Sequence, residues 1–385
     1  MIPATTGWLI DPAAQRVCGL IAEGGHKIFF VGGCVRNALM GLADSDIDLA
    51  TDAPPNEVMA LAKAAGIKAV PTGIDHGTVT LVIKGTPFEI TTFRRDVATD
   101  GRRAVVAFSK DIADDARRRD FTMNALYADA QGRVIDPLNG LPDLRARQVR
   151  FIEDADARIR EDYLRTLRYF RFCALYGDPQ SGFDPDALTA ISANIDGLGT
   201  LSAERVGQEM QKLLSAPDPA PALAVMRQTG VLPAILSGAD DRFIAVLVHL
   251  ETEMNVGPDW LRRLALLGGS DVAGRLRLSK ASARQLALLQ DVGFAGPSLP
   301  EVAYRHGENV AISAMLLRAS LSEQTPKPSE LETILRASQA RFPVKAADLM
   351  GDFYGPALGK QLALIEQRWI ASGFTLGRDD LLGRT

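Results

Sequence analysis

The sequence predicts an α/β domain at the N-terminus followed by an all-α remainder, and three observations support this fold class. Over roughly the first 140 residues, short β-favouring runs alternate with amphipathic helical segments. Beyond Leu141 the pattern changes to one helical segment after another. The length of 385 residues allows two or three domains, because a domain usually takes ~100–200 residues.

The N-terminal part begins with a β-favouring run that meets the pair Gly32-Gly33 and continues as a helix. Two later alternating runs flank Gly85-Thr86, and this arrangement predicts a β-hairpin. We therefore predict strands over 27–31, 46–51, 77–84 and 87–93, and helices over 35–42 and 56–65.

After the hairpin, the segment 94–104 is charged, contains Gly101 and has little apolar periodicity, so we expect a mobile loop. The helical part shows weak breaks, none of them long enough for a free linker. We place domain boundaries at 1–140, 141–215 and 216–385, and predict helices over 154–176, 185–195, 202–215 and 219–230.

The overall charge argues against a protein that coats nucleic acid through bulk charge, because 43 basic residues face 47 acidic ones and the net charge is −4. The stretch 261–284 differs from this average, since its basic residues far outnumber its single acid. We expect this stretch to form part of a phosphate-binding surface. Its basic residues are Arg262, Arg263, Arg275, Arg277, Lys280 and Arg284.

We expect a cytoplasmic protein without membrane segments. No stretch approaches the ~18 consecutive apolar residues of a membrane helix, and the first residues lack the basic start and apolar run of a secretory signal. Cys18, Cys34 and Cys173 lie far apart and form no CxxC pair, so neither a disulfide framework nor a local zinc site is indicated. The sequence leaves the oligomeric state open.

A candidate metal site lies on the second strand. Alternation along a strand places Asp46 and Asp48 on one face, while Ile47 and Leu49 point toward the core. Glu89, on the hairpin, is a third acid that can approach the pair from another strand. Carboxylate oxygens on a rigid strand suit Mg²⁺, and three of them with two ions and a triphosphate would give a two-metal centre for phosphoryl transfer. A DxD alone is more often a solvated strand end.

The glycine pair strengthens the functional interpretation. Gly32 and Gly33 permit close backbone approach to an anion, and the helix that follows offers free N–H groups to a phosphate. Arg36 lies in the first turn of that helix. Twelve residues separate Gly33 from Asp46, so the glycine turn and the acidic pair form one compact pattern.

With this pattern, the sequence resembles the class II, bacterial and eukaryotic type, tRNA CCA-adding enzymes, which share a branch with bacterial poly(A) polymerases among the DNA polymerase β-like nucleotidyltransferases. The resemblance extends from about Lys27 to Leu214, and one departure is Asn37, where the family often has aspartate. Five motifs carry it: GGCVRN with DIDLAT, FEITTFRRDVATDGRRA, RRDFTMNAL, DPLNGLPDL with EDYLRTLRYFR, and LSAERVGQEMQKLL.

The resemblance implies a palm-like nucleotidyltransferase head over 1–140, a helical neck over 141–215 that selects the nucleotide, and a helical body and tail over 216–385 that bind tRNA. The implied reaction is template-independent addition of CCA to the tRNA 3′ end from CTP and ATP, with two Mg²⁺ ions. Asp46 and Asp48 would bind the metals, and Glu89 would be the third acid. The loop at 94–104 would correspond to the family's flexible loop, which is needed for the switch from C to A addition.

The resemblance also assigns the nucleotide contacts. In EDYLRTLRYFR, polar residues at steps of three form a stripe on one side of a helix, and apolar residues form a stripe on the opposite side. In an arbitrary helix the polar stripe would be a solvated face. Asp162 and Arg165 would instead imitate a Watson–Crick partner for cytosine or adenine. Arg119 would contact the triphosphate and Asp120 the ribose hydroxyls, although RRD alone fits a charged surface turn equally well. The implied phosphate contacts further along the stripe are Arg168 and Arg171.

Three alternatives remain open. A poly(A) polymerase shares the carboxylates, but the interval between the second strand and Glu89 contains PTGIDHGTVT and not the basic GRRF-like segment of those enzymes. A partial enzyme would add only CC or only A. A silent RNA-binding relative would have no need of all three candidate carboxylates.

Overall fold

The computed structural model describes residues 1–43, 46–100 and 103–383. It separates the chain into two compact units, the first formed by Met1–Leu213 with Pro221–Ile235 and the second by Leu214–Ala220 with Leu236–Thr385. The predicted fold class is confirmed, because an α/β sheet domain precedes a helical remainder. No helix in the described ranges has both the length and the apolar character needed to cross a bilayer.

The strands form one large mixed sheet and one small ribbon. In the large sheet the order is β3-β4-β5-β2-β1-β8-β9, and β6 pairs only with β7. All neighbouring strands run antiparallel except β2 and β5, which are parallel. The strands are Ile28–Val31 (β1), Asp48–Thr51 (β2), Lys68–Gly73 (β3), Thr78–Ile83 (β4), Thr86–Thr92 (β5), Arg94–Asp100 (β6), Arg103–Phe108 (β7), Tyr127–Ala128 (β8) and Val134–Ile135 (β9).

The helices are given in chain order. Up to the end of the first unit they are Gly7–Ile10 (α1), Pro12–Glu23 (α2), Gly33–Met40 (α3), Pro55–Ala64 (α4), Ile112–Arg117 (α5), Leu141–Arg145 (α6), Ala155–Glu161 (α7), Leu164–Tyr176 (α8), Pro185–Ala193 (α9), Ala203–Leu214 (α10), Ala220–Gln228 (α11) and Val231–Ile235 (α12). Those that follow are Ile244–Glu253 (α13), Trp260–Leu267 (α14), Val272–Arg275 (α15), Lys280–Phe294 (α16), Leu299–His306 (α17), Glu308–Ser322 (α18), Pro328–Ser338 (α19), Pro356–Ala371 (α20) and Arg378–Leu382 (α21). Short 3₁₀ turns cover Ile74–His76, Thr122–Asn124, Ile195–Thr200 and Ala346–Asp348.

The predicted hairpin is confirmed as β4 and β5, which pair with Ile83 opposite Thr86. The two residues between them, Lys84 and Gly85, have φ values of +50° and +87°. Positive φ at both central positions is the geometry of a type I′ turn, whose twist matches that of the flanking strands. This hairpin places Glu89 in the middle of β5.

Two predictions about elements are wrong. The segment 154–176 is not one helix, because α7 ends at Glu161 and α8 begins at Leu164, with Asp162 in extended backbone between them (φ −155°, ψ 104°). The segment 94–104 is not irregular over its described part, because β6 and β7 pair as an antiparallel ribbon. Gly101, on which the loop prediction partly rested, lies outside the described residues.

The second unit corrects the prediction for the basic stretch 261–284. Arg262 and Arg263 lie on α14 and are buried, where both form ion pairs with Glu251 of α13. These two arginines therefore cannot contribute to a phosphate-binding surface, because their guanidinium groups are used inside the unit. The exposed basic residues of the stretch are Arg275, Arg277, Lys280 and Arg284.

Candidate active site

Two of the predicted carboxylates, Asp48 and Glu89, meet on one face of the neighbouring central strands β2 and β5. Together with Asp46 they form the group that we call the acidic edge. Asp48 on β2 lies directly opposite Glu89 on the parallel strand β5. Residues paired in this way point to the same face of the sheet. Their neighbours Leu49 and Ile90 are buried, whereas both acids are exposed, so the alternation predicted from sequence holds here. Asp46 is also exposed and lies two residues before the start of β2.

The carboxylate of Asp48 is electrostatically perturbed. Desolvation raises the pKa of Asp48, the negative charges of Glu89 and Asp46 raise it further, and the positive charge of Arg119 opposes them. A group that is both partly desolvated and crowded by like charge is stabilised by a nearby cation. The electrostatics of the acidic edge therefore favour a bound divalent ion.

The donor chemistry of the acidic edge also fits Mg²⁺, which prefers hard oxygen ligands. Within the described ranges, no three or more His, Cys, Asp or Glu side chains lie close enough to enclose a metal ion. Mg²⁺ sites at phosphate-binding centres are rarely enclosed by protein alone, because waters and substrate phosphates fill most of the positions. The residues present thus fit the ion by donor type and charge, without forming an all-protein cage.

The glycine turn between β1 and α3 depends on the backbone of Gly32. Its φ of +73° and ψ of −122° are accessible to glycine alone, and Gly33 then opens α3. A Cβ placed on Gly32 would lie 3.4 Å from Nη1 of Arg119. The absence of a side chain therefore brings the turn directly against that guanidinium, while the first N–H groups of α3 have no carbonyl partner within the helix.

Arg119 sits between the glycine turn and the acidic edge. Its Nη2 donates to Asp115 at 3.0 Å and its Nε donates to the hydroxyl of Tyr127 at 3.3 Å. Burial alone would lower the pKa of Arg119, but the charge of Asp115 overcomes this and holds the pKa above its usual range. A fixed, permanently charged guanidinium beside a glycine turn is suited to binding phosphate oxygens.

Arg36 is buried between α3 and α8 and has several partners inside the protein. Its guanidinium donates to the side-chain oxygen of Asn124 at 2.5 Å, to that of Asn37 at 2.9 Å and to the hydroxyl of Tyr176 at 2.8 Å. It also lies 3.9 Å from the centre of the Tyr176 ring. The structure thus places Arg36 in the support of the helix behind the glycine turn.

Asp120 is buried and its carboxylate binds three groups of the protein. One oxygen accepts from the backbone N–H of Phe121 at 2.9 Å and from the side chain of Asn124 at 3.0 Å. The other accepts from Nε of Arg168 at 2.7 Å and from the same guanidinium's Nη2. Desolvation would raise the pKa of Asp120, but Arg168 and these donors hold it below its ordinary value. Asp120 and Arg168 are therefore brought together as an ion pair.

At the break between α7 and α8, the carboxylate of Asp162 binds Arg205, a partner that was not identified from the sequence. Arg205 of α10 donates to it through two nitrogens, at 3.1 and 2.6 Å, and the backbone N–H of Leu164 adds a third hydrogen bond at 3.1 Å. Among the described residues, the contact at 2.6 Å is the one hydrogen bond that Oδ2 accepts. A carboxylate oxygen accepts two hydrogen bonds, so Oδ2 retains a lone pair for a further donor.

Arg165 does not pair with Asp162 through its side chain. Its guanidinium binds the carboxylate of Glu161 and donates to the carbonyl oxygens of Arg158 at 2.8 Å and Arg118 at 3.1 Å. The two residues are adjacent all the same, because the N–H of Arg165 donates to the carbonyl of Asp162 at 2.9 Å.

Arg171 lies at the far end of the predicted stripe and faces α10. Its Nε lies 3.2 Å from a carboxylate oxygen of Glu209, and both side chains are buried. Burial lowers the pKa of Arg171, and the charge of Glu209 opposes that shift. The predicted polar stripe is thus a set of ion pairs with other elements.

Several residues of this region were not identified from the sequence, among them Asp115, Tyr127, Arg205 and Glu209. Arg205 and Glu209 lie four residues apart in LSAERVGQEMQKLL, a spacing that puts both on one face of α10 and offered a signal. Asp115 and Tyr127 carry no comparable signal, because each lies in a segment that reads as ordinary helix or strand.

Two family models match this chain. The model described as "Poly A polymerase head domain" matches residues 28–150. The model described as "Probable RNA and SrmB- binding site of polymerase A" matches residues 182–243. The first covers the sheet, the acidic edge and the glycine turn.

Two curated relatives resemble the chain over most of their length. CCA tRNA nucleotidyltransferase 1, mitochondrial, of Mus musculus is 32% identical over 97% of this chain and 90% of the relative. The CCA-adding enzyme of Geobacillus kaustophilus is 33% identical over 87% of this chain and 85% of the relative.

Solved structures share the fold. The crystal structure of the Bacillus stearothermophilus CCA-adding enzyme in complex with CTP superimposes with a TM-score of 0.74 at 28% identity, over 94% of both chains. The Thermotoga maritima CCA-adding enzyme complexed with tRNA gives a TM-score of 0.70 at 20% identity, over 98% of this chain and 96% of that one. The second likeness concerns the fold alone.

Proposed function

Since the chain belongs to the family of CCA-adding tRNA nucleotidyltransferases, we propose that it completes the 3′ end of tRNA by adding C, C and A from CTP and ATP. It is an enzyme that transfers nucleotidyl groups and releases pyrophosphate. The observation that carries the proposal is the register of Asp48, which pairs with Glu89 on one side and with Val31, the residue before Gly32, on the other. Two acids therefore lie close to a glycine turn of the kind that suits a phosphate.

We propose that Asp46 and Asp48 bind two Mg²⁺ ions and that Glu89 is the third catalytic acid. Bound Mg²⁺ would neutralise charge on the triphosphate and lower the pKa of the attacking hydroxyl. Glu89 would help to accept the proton of the tRNA 3′ hydroxyl, since it is exposed beside Asp48. The raised pKa of Asp48 supports this assignment, because like-charged neighbours cause part of it.

The triphosphate would lie along the glycine turn. Gly32 and Gly33 allow its close approach, and Arg119 supplies a fixed positive charge there. We propose that Arg36 supports this turn from behind, and that it contributes its charge to the phosphates without leaving its partners.

The base would be read at the break between α7 and α8. Asp162 retains one acceptor position on Oδ2 for an exocyclic amine, and Arg165 lies beside it. Uracil and guanine present a carbonyl in place of that amine, so the carboxylate would face an acceptor and reject them. The ion pair of Asp120 and Arg168 would lie near the ribose and phosphates, with Arg171 held behind it by Glu209.

We further propose the functional division inferred from the sequence, with a nucleotidyltransferase head over 1–140, a nucleotide-selecting neck over 141–215 and tRNA binding over 216–385. The tRNA acceptor arm would be recognised by shape and phosphate charge. We propose a cytoplasmic location, which the three free thiols of the chain support, because unpaired cysteines are typical of a reducing compartment.

The test is a gel of reaction products on tRNA trimmed of its 3′ CCA, with Mg²⁺ and CTP, ATP or both. We expect two additions with CTP alone and three with both nucleotides. Asp46→Ala and Asp48→Ala should each lower the rate by roughly a thousandfold, the equivalent of several kcal/mol of lost metal-dependent stabilisation. Glu23→Ala is the matched control, since Glu23 is an exposed acid at the end of α2.

Each alternative function predicts a different set of reaction products on the gel. A long tail from ATP alone would identify a poly(A) polymerase, and a stop after CC with both nucleotides would identify a partial enzyme. No addition at any Mg²⁺ concentration would identify a silent relative. Full activity of both aspartate variants would contradict the metal assignment.

A further inference from the structure

One carboxylate near the proposed triphosphate site is fully buried and binds two consecutive arginines. Asp115 of α5 has no solvent exposure, yet it lies 2.7 Å from Nε of Arg118 and 3.0 Å from Nη2 of Arg119. Removing an acid from water is costly unless charged partners surround it. The arginines supply those partners, and the cluster of one acid and two bases retains a net positive charge.

Tyr127 closes this arrangement from the sheet. It lies on β8 directly opposite Val31, the residue before Gly32. Its hydroxyl donates to Asp115 at 2.7 Å and accepts from Nε of Arg119 at 3.3 Å. The three side chains therefore form a closed triangle of hydrogen bonds next to the start of the glycine turn.

The triangle fixes the orientation of the Arg119 guanidinium. Nε and Nη2 are held by Tyr127 and Asp115, whereas Nη1 lies 3.4 Å from the position that a Cβ would take on Gly32. Nη1 thus lies against the glycine turn.

We propose that Asp115, together with Tyr127, is a positioning residue that holds Arg119 in the orientation that binds the triphosphate of the incoming nucleotide. This inference rests on the proposed function. An arginine fixed before the ligand arrives loses little further rotamer freedom on binding, so the pair would raise nucleotide affinity without touching the nucleotide.

The test compares Asp115→Asn, Tyr127→Phe and Arg119→Ala, together with the double variant Tyr127→Phe/Arg119→Ala. In steady-state addition to trimmed tRNA, we expect Asp115→Asn and Tyr127→Phe to raise the KM for CTP and ATP, by roughly tenfold for Asp115→Asn, and to leave the KM for tRNA unchanged. In the double variant, Tyr127→Phe should add nothing to the effect of Arg119→Ala, because its action passes through Arg119.

The matched control is Arg118→Gln. Arg118 binds the same carboxylate as Arg119, so its loss should lower the thermal stability of the protein without raising the nucleotide KM. If Asp115→Asn does not fold, Tyr127→Phe decides the question, since it removes a single hydroxyl.

Equilibrium binding of CTP in the presence of Mg²⁺ separates this inference from the proposed function. A wild-type protein that binds CTP but adds nothing to tRNA would contradict the proposed function, while weaker CTP binding by Tyr127→Phe would still support the positioning role. An unchanged nucleotide KM and CTP affinity in the folded variants would overturn the role. A loss that is additive to that of Arg119→Ala would do the same.

Discussion

Asp48 combines exposure to solvent with the electrostatics of a crowded group. It is accessible at the start of β2, yet desolvation by the surrounding protein and two neighbouring acids raise its pKa. An acid whose pKa is higher in the folded state than in the unfolded chain binds its proton more tightly when folded. Ionisation of Asp48 therefore lowers the free energy of unfolding of the protein.

The upward direction of this pKa shift leads to a prediction for the stability of Asp48→Asn in the absence of metal. The stabilising effect of the raised pKa is fully present below the unfolded value of ~3.9 and is lost as the pH rises through the folded value. We expect Asp48→Asn to melt at a higher temperature than wild type at pH 7, and this gain to shrink as the pH falls toward 4. Thermal unfolding across that range measures it.

The control is Glu23→Gln, an exposed acid of the same unit, which should show no such pH-dependent gain. Added Mg²⁺ should stabilise the wild type and leave Asp48→Asn unaffected. A melting temperature of Asp48→Asn that is equal to or below that of wild type at every pH would contradict the prediction.

At the scale of elements, the break between α7 and α8 determines what Asp162 can do. Inside a continuous helix its side chain would lie along the helix surface. In extended backbone it instead caps the N–H of Leu164 and reaches Arg205 on α10. The carboxylate is thereby fixed from two elements, with one acceptor position left.

We predict that Arg205→Met lowers nucleotide selectivity. Without its partner the Asp162 carboxylate gains freedom to move, so the penalty for a base with a carbonyl in place of the amine should fall. The ratio of kcat/KM for CTP over UTP should drop by roughly tenfold, the equivalent of a hydrogen bond to a charged group.

Arg160→Met serves as the control for selectivity, because Arg160 forms an exposed ion pair with Asp156 on α7. Its CTP-to-UTP ratio should equal that of wild type. If Arg205→Met also kept the wild-type ratio, Arg205 would have no part in positioning Asp162.

The elements differ in how well the sequence predicted them. The hairpin of β4 and β5 was predicted to within one or two residues, because alternation and a glycine turn are local signals. The end of α7 was missed because the apolar positions of 154–176 keep helical spacing across the break. The hydrogen bonds that stabilise an extended Asp162 come in part from Arg205, which is 43 residues away in the chain.

At the scale of the whole molecule, the second unit contains a buried ion cluster. Arg263 binds Glu251 at 2.7 Å and donates to the carbonyl oxygens of Leu214, at 2.8 Å, and of Ala216. The buried guanidinium thus satisfies carbonyl oxygens of the segment 214–220, which belongs to the same unit.

We predict that Arg263→Met destabilises the second unit by about 3–5 kcal/mol, because it leaves Glu251 and several carbonyl oxygens without this buried donor. Arg275→Met, at an exposed position, should change the free energy of unfolding by no more than about 0.5 kcal/mol. Denaturant unfolding followed by tryptophan fluorescence measures both, since Trp260 and Trp369 lie in this unit. Equal effects of the two variants would contradict the role of the buried cluster.

We also predict that charge reversal at Arg275 and Arg277 weakens tRNA binding and makes its salt dependence shallower. Each phosphate contact releases counterions, so losing contacts reduces the slope of log affinity against log salt concentration. Filter binding at several salt concentrations measures this, with Lys63→Glu in the first unit as the control. An unchanged affinity and slope would exclude these two residues from the tRNA surface.

The sequence by itself determined the α/β domain, the helical remainder, the acidic edge and the glycine turn, because periodicity, turn residues and short motifs are local properties of the chain. Only the tertiary structure decided which charged side chains are buried and which residues they pair with. Nothing in the sequence distinguishes the buried Arg262 and Arg263 from the exposed Arg275, and nothing in it indicates that Asp115 is buried. Burial and pairing depend on residues distant in the chain, such as Glu251 for Arg263 and Tyr127 for Asp115, and only the folded chain brings them together.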